Sequence, residues 1–412
     1  MRKTALLRNA ARLARGLCLV LLGTVSACSG TGDATTLTLW HAWGGQELTA
    51  LRQVIQRFEA GNPGQRVMAL QVPYDKLKDK FLRSAAANGG PDLLIGDADW
   101  SGKFAVAGLL RRIDTWFSPQ ELSRFNPRSL TSLRLQDKLY AVPESREAVA
   151  LYYNKRLLPK PPATVSEWFN AAERVSVQTN GQVYGLVFNA AFYYAMGYYF
   201  GEGGKLFAPD GQVALNGNAG RATLQMLDQM SRAPGILTSP EYSKGDSLYK
   251  QGQAAMILNG PWALADYQRV LKADLGVARL PALAPGKPAA AWVGVKCMMV
   301  NANSDDAQAE RAKAFALHMT SPDVQRLLAQ EAGHIPAIDA VQLPMESPQH
   351  VFMAEAAVGT PVSIQSEVSL IWEPMDKAIR QVIAHQSSPE EALAEAETIL
   401  EAKLAIVREQ KP

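Results

Sequence analysis

Apolar residues recur at Leu48, Leu51, Ile55 and Phe58, with Arg52, Gln53, Gln56 and Arg57 between them. That period predicts an amphipathic helix of about three turns, stopped by Gly61-Asn62-Pro63-Gly64. Before it, Leu37-Thr38-Leu39-Trp40 opens the folded region. After it, Val67 to Val72 reads as a strand, Tyr74 to Ala87 as a helix, and Asp92-Leu93-Leu94-Ile95-Gly96 as a short buried strand ending where Asp97, Asp99 and Trp100 begin. This is the strand–helix rhythm of an α/β lobe. Strand candidates at Leu151 to Tyr153, Val183 to Phe188, Ala254 to Leu258, Leu275 to Leu280 and Lys296 to Val300 continue it, and Asp376 to Glu409 is nearly all helix former. Within that last stretch Leu393, Ile399, Leu400 and Leu404 are expected to face the core of a second lobe.

The first residues follow another pattern. Arg2, Lys3, Arg8, Arg12 and Arg15 precede the apolar run Leu17 to Leu22, followed by Val25-Ser26-Ala27-Cys28. A basic region, a short apolar region and small residues before a cut are what export machinery reads. The run is shorter than the roughly 20 residues a bilayer crossing needs. Val25-Ser26-Ala27-Cys28 resembles the lipobox of bacterial lipoproteins, which implies lipidation of Cys28 and a membrane-tied protein outside the cytoplasm. Residues 1–27 are thus read as a signal and 28–35 as a small, polar tether. Removing the five basic residues of the signal takes the net charge from +3 to −2, so nothing electrostatic favours a nucleic-acid partner. Cys18 lies in the signal and Cys297 in an apolar run, which leaves no intrachain disulfide and makes Cys297 a small buried hydrophobe. The remaining chain of about 385 residues exceeds the usual ~100–200 of one domain, and two lobes are expected.

Ligands of open α/β sheets sit beyond the carboxyl ends of the strands, and here those positions are aromatic. Trp43 follows the first strand, Trp100 follows Ile95-Gly96, Tyr193, Tyr194, Tyr198 and Tyr199 follow Phe188, Trp262 follows Leu258-Asn259-Gly260, and Trp292 precedes Lys296. Sugar rings carry apolar CH faces and polar edges, so a cleft pairing Trp and Tyr with carboxylates suits carbohydrate. Trp40, Trp116 and Trp168 sit in apolar or helical patterns and are assigned to packing.

Several blocks occur in a telling order. They are Gly90-Pro91-Asp92-Leu93-Leu94-Ile95-Gly96 with Asp99 and Ala107-Gly108-Leu109-Leu110, then Leu139-Tyr140-Ala141-Val142-Pro143 with Glu147-Ala148 and Leu151-Tyr152-Tyr153-Asn154-Lys155, then Asn259-Gly260-Pro261-Trp262 after Gly252-Gln253-Ala254-Ala255-Met256. In these the chain resembles the extracellular solute-binding proteins of ABC sugar importers, in particular the maltose/maltodextrin-binding branch. The resemblance implies an α/β, two-lobed periplasmic-binding-protein fold of type II, each lobe a mainly parallel sheet flanked by helices, with the ligand cleft at the hinge. It places residues 36–145 plus 295–336 in one lobe and 146–294 plus 337–412 in the other. It makes Asp99 and Glu147 hydroxyl-binding carboxylates, and Tyr193 or Tyr194, Trp262 and Trp372 aromatic platforms; Trp43, Trp100, Trp292 and Glu373 complete the candidate site. It implies a monomer that delivers a small carbohydrate to an ABC permease and its ATPase, without a cofactor. The chain departs from the pattern at Glu144, Arg146, Trp100 and Glu373, and Phe192 to Phe200 lacks the acidic residue that often precedes the platform tyrosine. These changes leave maltose, trehalose or another α-linked glucoside open as the ligand.

The rival class is a glycoside hydrolase, which needs two carboxylates roughly 5 Å apart or somewhat wider. Asp99, Glu147 and Glu373 are the acids available for it, but hydroxyl recognition accounts for the same residues. His41, His318, His334, His350 and His385 show no metal-ligand spacing. Gly96 to Lys103 has one residue too many for a phosphate loop and Phe104 in place of Ser or Thr, and no G-x-S-x-G elbow occurs. The mechanism that remains is closure of the lobes on a ligand, driven by contacts that both lobes make.

Overall fold

A computed structural model of the chain describes residues 36–208 and 210–409, the side chain of Ser366 excepted. The signal, the tether and Cys28 lie outside the described residues. Strand Thr36–His41 turns Leu37, Leu39 and His41 inward by the two-residue period of a strand. It lies between the parallel strands Arg66–Gln71 and Leu93–Asp97. On the far side of Leu93–Asp97, the sheet continues antiparallel with Trp292–Val300, Ala141–Glu147 and Ile335–Pro336. The second sheet is built likewise. Ile236–Ser239, Tyr184–Asn189 and Ala254–Asn259 are parallel, and Ala150–Asn154 and then Leu275–Ala278 join antiparallel.

Each sheet is thus parallel where helices make the crossovers and antiparallel where the chain passes between lobes. It leaves the first sheet at Glu147, runs through buried Ala148 and Val149, and enters the second at Ala150; it returns between Ala278 and Trp292. This is the two-lobed α/β fold expected of the sequence, with each sheet mixed instead of mainly parallel because the strands at the lobe crossings join antiparallel.

Details differ from the apolar pattern for physical reasons. The strand read as Lys296 to Val300 begins at Trp292, because Trp292 and Val293 pair with Thr360 and Pro361, and Gly294 and Val295 pair with Glu147 and Arg146. The C-terminal helical stretch is split into Trp372–Ile383 and Pro389–Glu409. Ser388 opens the second helix with a capping box: its hydroxyl accepts the Glu391 N–H at 3.2 Å, while the Glu391 carboxylate accepts the Ser388 N–H at 3.0 Å. Leu393, Leu400 and Leu404 are buried and Ile399 half-buried. Between Ala141–Glu147 and Trp292–Val300 the register slips: Ser145 faces Lys296 and Pro143 faces Cys297, leaving Glu144 as the extra residue of a bulge. A bulge re-aims its side chain, and Glu144 is fully buried. Trp168 and Cys297 are buried, while Trp40 and Trp116 are half-buried against the core. No helix among the described residues is long and apolar enough to cross a membrane.

Candidate functional site

Leu93–Asp97 ends at Asp97, and helix Ala98–Val106 starts directly after it with Asp99 and Trp100 in its first turn. Asp97 does not cap that helix with its side chain. Its carboxylate instead accepts the Tyr74 hydroxyl at 2.5 Å and pairs with the ammonium of Lys296, its cross-strand neighbour. Lys296 also lies 3.5 Å from the Glu147 carboxylate. Burial disfavours the Lys296 charge, but Asp97 and Glu147 outweigh it and hold the ammonium well above its ordinary range. Asp99 is buried and pushed up to about 6, first by burial and then by Asp97. Glu147 is pushed up to about 7 by burial, against the pull of Lys296.

Aromatic side chains from the second lobe and the crossing strand meet these acids. The Trp372 indole N–H donates to Asp99 Oδ2 at 2.9 Å, joining the two lobes directly. The Trp372 ring stands edge-on to Trp292 at 6.1 Å, and Trp292 stacks on Phe200 at 5.7 Å. Tyr193 lies between Trp262 and Trp372, with ring centres 6.1 and 6.5 Å away. Its buried hydroxyl has no partner among the described residues. Tyr194 is buried edge-on behind it.

The Asn259-Gly260-Pro261-Trp262 motif has a local explanation. Asn259 is fully buried, accepts the Gly260 N–H and donates to the Tyr267 hydroxyl at 2.8 Å. A Cβ on Gly260 would lie 2.0 Å from the Trp262 ring, so only glycine lets that ring fold back over the turn. The Trp262 N–H then donates to the Tyr242 hydroxyl at 3.2 Å.

Trp43 sits beside a second buried group. His334 is held by Glu144 and Glu47, each at 3.0 Å, and Trp43 meets its ring edge-on at 4.9 Å. Burial lowers the His334 pKa, but the two carboxylates prevail and raise it to about 10. Glu47 and His334 also act electrostatically on Glu147, which ties this group to the acids around Lys296. His41, lowered to about 4 by burial and Arg52, is neutral, and its Nδ1 accepts the backbone N–H of Trp43 at 3.1 Å. Trp100 is buried against Gly96 and lies 5.6 Å from Tyr74.

The structure therefore gathers Asp99, Glu147, Tyr193, Trp262, Trp292 and Trp372, with Tyr194 and Trp100 supporting them. Glu373 is a correction. Its side chain is 77% exposed and ion-paired with Lys403 of the last helix, because one residue along a helix turns it about 100° away from Trp372. Tyr198 and Tyr199 also leave the cleft reading: both are fully buried, Tyr198 stacked on Trp168 and Tyr199 donating to the Lys205 carbonyl. Sequence reasoning missed Lys296, Tyr74, Glu47 and His334. The signal for Lys296 was its position as the only charge in an otherwise apolar buried strand. Among the described residues no cluster of His, Cys, Asp and Glu is arranged to hold a metal ion.

Comparison with known proteins gives the family and the fold. The family model for bacterial extracellular solute-binding proteins matches residues 53–355, and the chain belongs to that family. It is 29% identical over 317 residues to the maltotriose-binding protein of Pyrococcus abyssi, covering 74% of this chain and 67% of that one. To the galactooligosaccharide-binding protein of Bacillus subtilis it is 25% identical over 390 residues, covering 90% of each. The maltose/maltodextrin-binding domain of Bdellovibrio bacteriovorus, solved with maltotriose bound, superposes with a TM-score of 0.82 at 28% identity, covering 90% of this chain and all of that one.

Proposed function

We propose that this protein captures a short neutral oligosaccharide of the maltodextrin type between its two lobes and presents it to a membrane importer. The observation that carries the reading is the meeting of buried carboxylates Asp99 and Glu147 with Trp372, Trp262 and Tyr193 from the facing lobe. Carboxylates accept hydroxyl hydrogen bonds about twice as strong as neutral acceptors do, and the rings offer faces to the CH surface of a sugar. A single ammonium, that of Lys296, lies against both Asp97 and Glu147 and offsets part of their charge, as suits recognition of an uncharged ligand. The relatives' ligands, maltotriose and galactooligosaccharide, are both short sugars, which supports the class and leaves the linkage to experiment.

In this reading the lobes built on the two sheets move against each other, with the crossings at 148–149 and 279–291 instead of the 145/146 and 294/295 bounds expected from the sequence, so that Glu147 and Trp292 stay with the first sheet. Lipidation at Cys28 holds a monomer at the outer surface of the cell membrane, and the closed form docks on an ABC permease driven by its ATPase. The test is thermal melting of the protein lacking its first 28 residues against maltose, maltotriose, trehalose, galactobiose and cellobiose, with chromatography of the same samples. A ligand at 100 times its dissociation constant adds about 2.7 kcal/mol. Stabilisation by maltotriose without products is the expected result. Stabilisation by galactobiose alone would reassign the sugar, product formation would make the protein a hydrolase, and no response to any sugar would overturn the proposal.

A further inference from the structure

The strands that carry the acid–tryptophan cluster have a second face. Along Trp292–Val300, Trp292, Gly294 and Lys296 turn towards the cluster, so Val293 and Val295 point the opposite way. The register sets Glu147 against Gly294 and Arg146 against Val295, which puts Arg146 on the same reverse face as the two valines. A cavity of about 380 Å³ lies there, lined by Arg128, Ser129, Ser132, Arg146, Val293 and Val295 among others.

Its polar groups are unspent. Arg146 donates from Nε to the Pro336 carbonyl at 3.0 Å, and its two terminal nitrogens make no hydrogen bond or ion pair among the described residues. Asp339 is the acid acting on Arg146, without forming an ion pair with it. Ser129 and Ser132 are 2% and 7% exposed, and neither hydroxyl is used in a hydrogen bond among the described residues. Arg128 spends Nη1 on the Ala357 carbonyl at 3.1 Å and keeps the rest of its fork. No carboxylate lines the cavity, and no aromatic ring does. Helix Gln349–Val358 closes it with Met353 and Ala356.

We infer that this cavity is a second ligand site, distinct from the sugar cluster, for a small organic anion whose carboxylate is held by Arg128, Arg146 and the two serine hydroxyls and whose apolar body lies on Val293, Val295 and Met353. Guanidinium forks match carboxylate geometry, and a volume of this order with apolar walls and few polar groups is that of a small-molecule site. The absence of rings and acids excludes the chemistry of the sugar cluster from it. Because the same two strands carry both sites on opposite faces, occupancy of one is linked reciprocally to the other wherever the two lobe arrangements bind the anion differently.

The probe is hexanoate, followed on the purified protein by saturation-transfer NMR at constant ionic strength, with hexanol as its neutral counterpart. Saturable hexanoate binding is expected, with hexanol at least tenfold weaker. Arg128→Gln and Arg146→Gln should each weaken hexanoate at least tenfold, and Ser132→Glu should abolish it by placing a like charge in the cavity. Melting curves establish which variants are folded. Arg128 is exposed, so Arg128→Gln decides the matter if Arg146→Gln fails to fold. Absence of saturable binding, equal binding of hexanol, or hexanoate binding unchanged by Arg128→Gln and Ser132→Glu would overturn the inference.

Discussion

Asp99 and Glu147 hold their protons far longer than exposed acids do, about 6 and 7 respectively, and burial is the first cause for both. If sugar hydroxyls are bound by the ionised forms, affinity is expected to be flat above about pH 8 and to fall as the pH drops through 7 and 6. Isothermal titration with maltotriose from pH 8 to 5 checks this, and a pH-independent affinity would remove the carboxylates from the binding step. Hydrogen bonds to charged groups contribute about 1.5–3 kcal/mol, so Asp99→Asn should weaken maltotriose by roughly ten- to a hundredfold. Stability runs the other way with pH. A raised acid keeps in the folded state a proton that the unfolded chain has released, so the contributions of Asp99 and Glu147 are lost as pH rises through about 6 and 7. His334 acts in the same sense at higher pH. Its folded pKa of about 10 exceeds the unfolded 6.5, so the stability it lends is complete below 6.5 and gone above about 10. The imidazole should therefore show no titration between pH 6 and 8 by NMR. Glu144→Gln, which removes the first-named of its two carboxylates, should bring the titration into that range; a ring that already titrates near 6.5 in the unaltered protein would refute the carboxylate–imidazolium reading.

Helix Ala98–Val106 delivers Asp99 to Trp372 because it lies unusually close to the segment leading into helix Trp372–Ile383. A Cβ added at Gly102 would sit 1.5 Å from the Ile364 carbonyl oxygen, a backbone atom that cannot swing aside. Gly102→Ala should then cost at least the ~1–3 kcal/mol typical of overpacking, read as a lowered melting temperature, and should also weaken sugar binding by parting Asp99 from Trp372. Gly260→Ala separates the two effects. Its φ of −95° suits any residue, so the new methyl displaces only the Trp262 ring, and a loss of affinity with little loss of stability is expected. How far these elements were legible follows from their physics. Helix Gly45–Gly61 announces itself through its period, strands Arg66–Gln71, Tyr184–Asn189 and Ala254–Asn259 through short apolar runs between polar and glycine-containing segments, and the Asn-Gly-Pro-Trp turn through residues that each have one local task. Glu144 had no such announcement, because a bulge is a property of two paired strands and appears in neither strand alone. The partners of Lys296 and His334 were illegible for the same reason: Asp97, Glu144 and Glu47 are remote in sequence and meet them only through strand pairing and packing, although a lone charge in an apolar strand marked Lys296 itself. Glu373 misled because adjacency to a platform tryptophan means proximity in a strand or loop but divergence on a helix.

The two lobes touch through the Trp372–Asp99 hydrogen bond at 2.9 Å, a contact between a helix of the C-terminal pair and a helix of the first sheet. A ligand shifts the population towards this arrangement only if it binds it better than an open one, and each factor of ten in that preference is worth about 1.4 kcal/mol. Trp372→Phe isolates the bond from the platform: it keeps an aromatic face and removes the donor to Asp99. With Asp99 still charged and buried, the closed arrangement loses a charge-assisted hydrogen bond while the open one, where water replaces the indole, loses little. Maltotriose should therefore bind Trp372→Phe about ten- to a hundredfold more weakly, and Trp372→Ala more weakly still because the ring face goes as well. Small-angle scattering gives the global counterpart. Saturating maltotriose should reduce the radius of gyration of the unaltered protein, and the same saturation of Trp372→Phe, reached at higher ligand concentration, should reduce it less completely. Equal compaction of the two proteins would show that closure is driven by sugar contacts alone, and that the indole–carboxylate bond is a consequence of the closed state without being one of its causes.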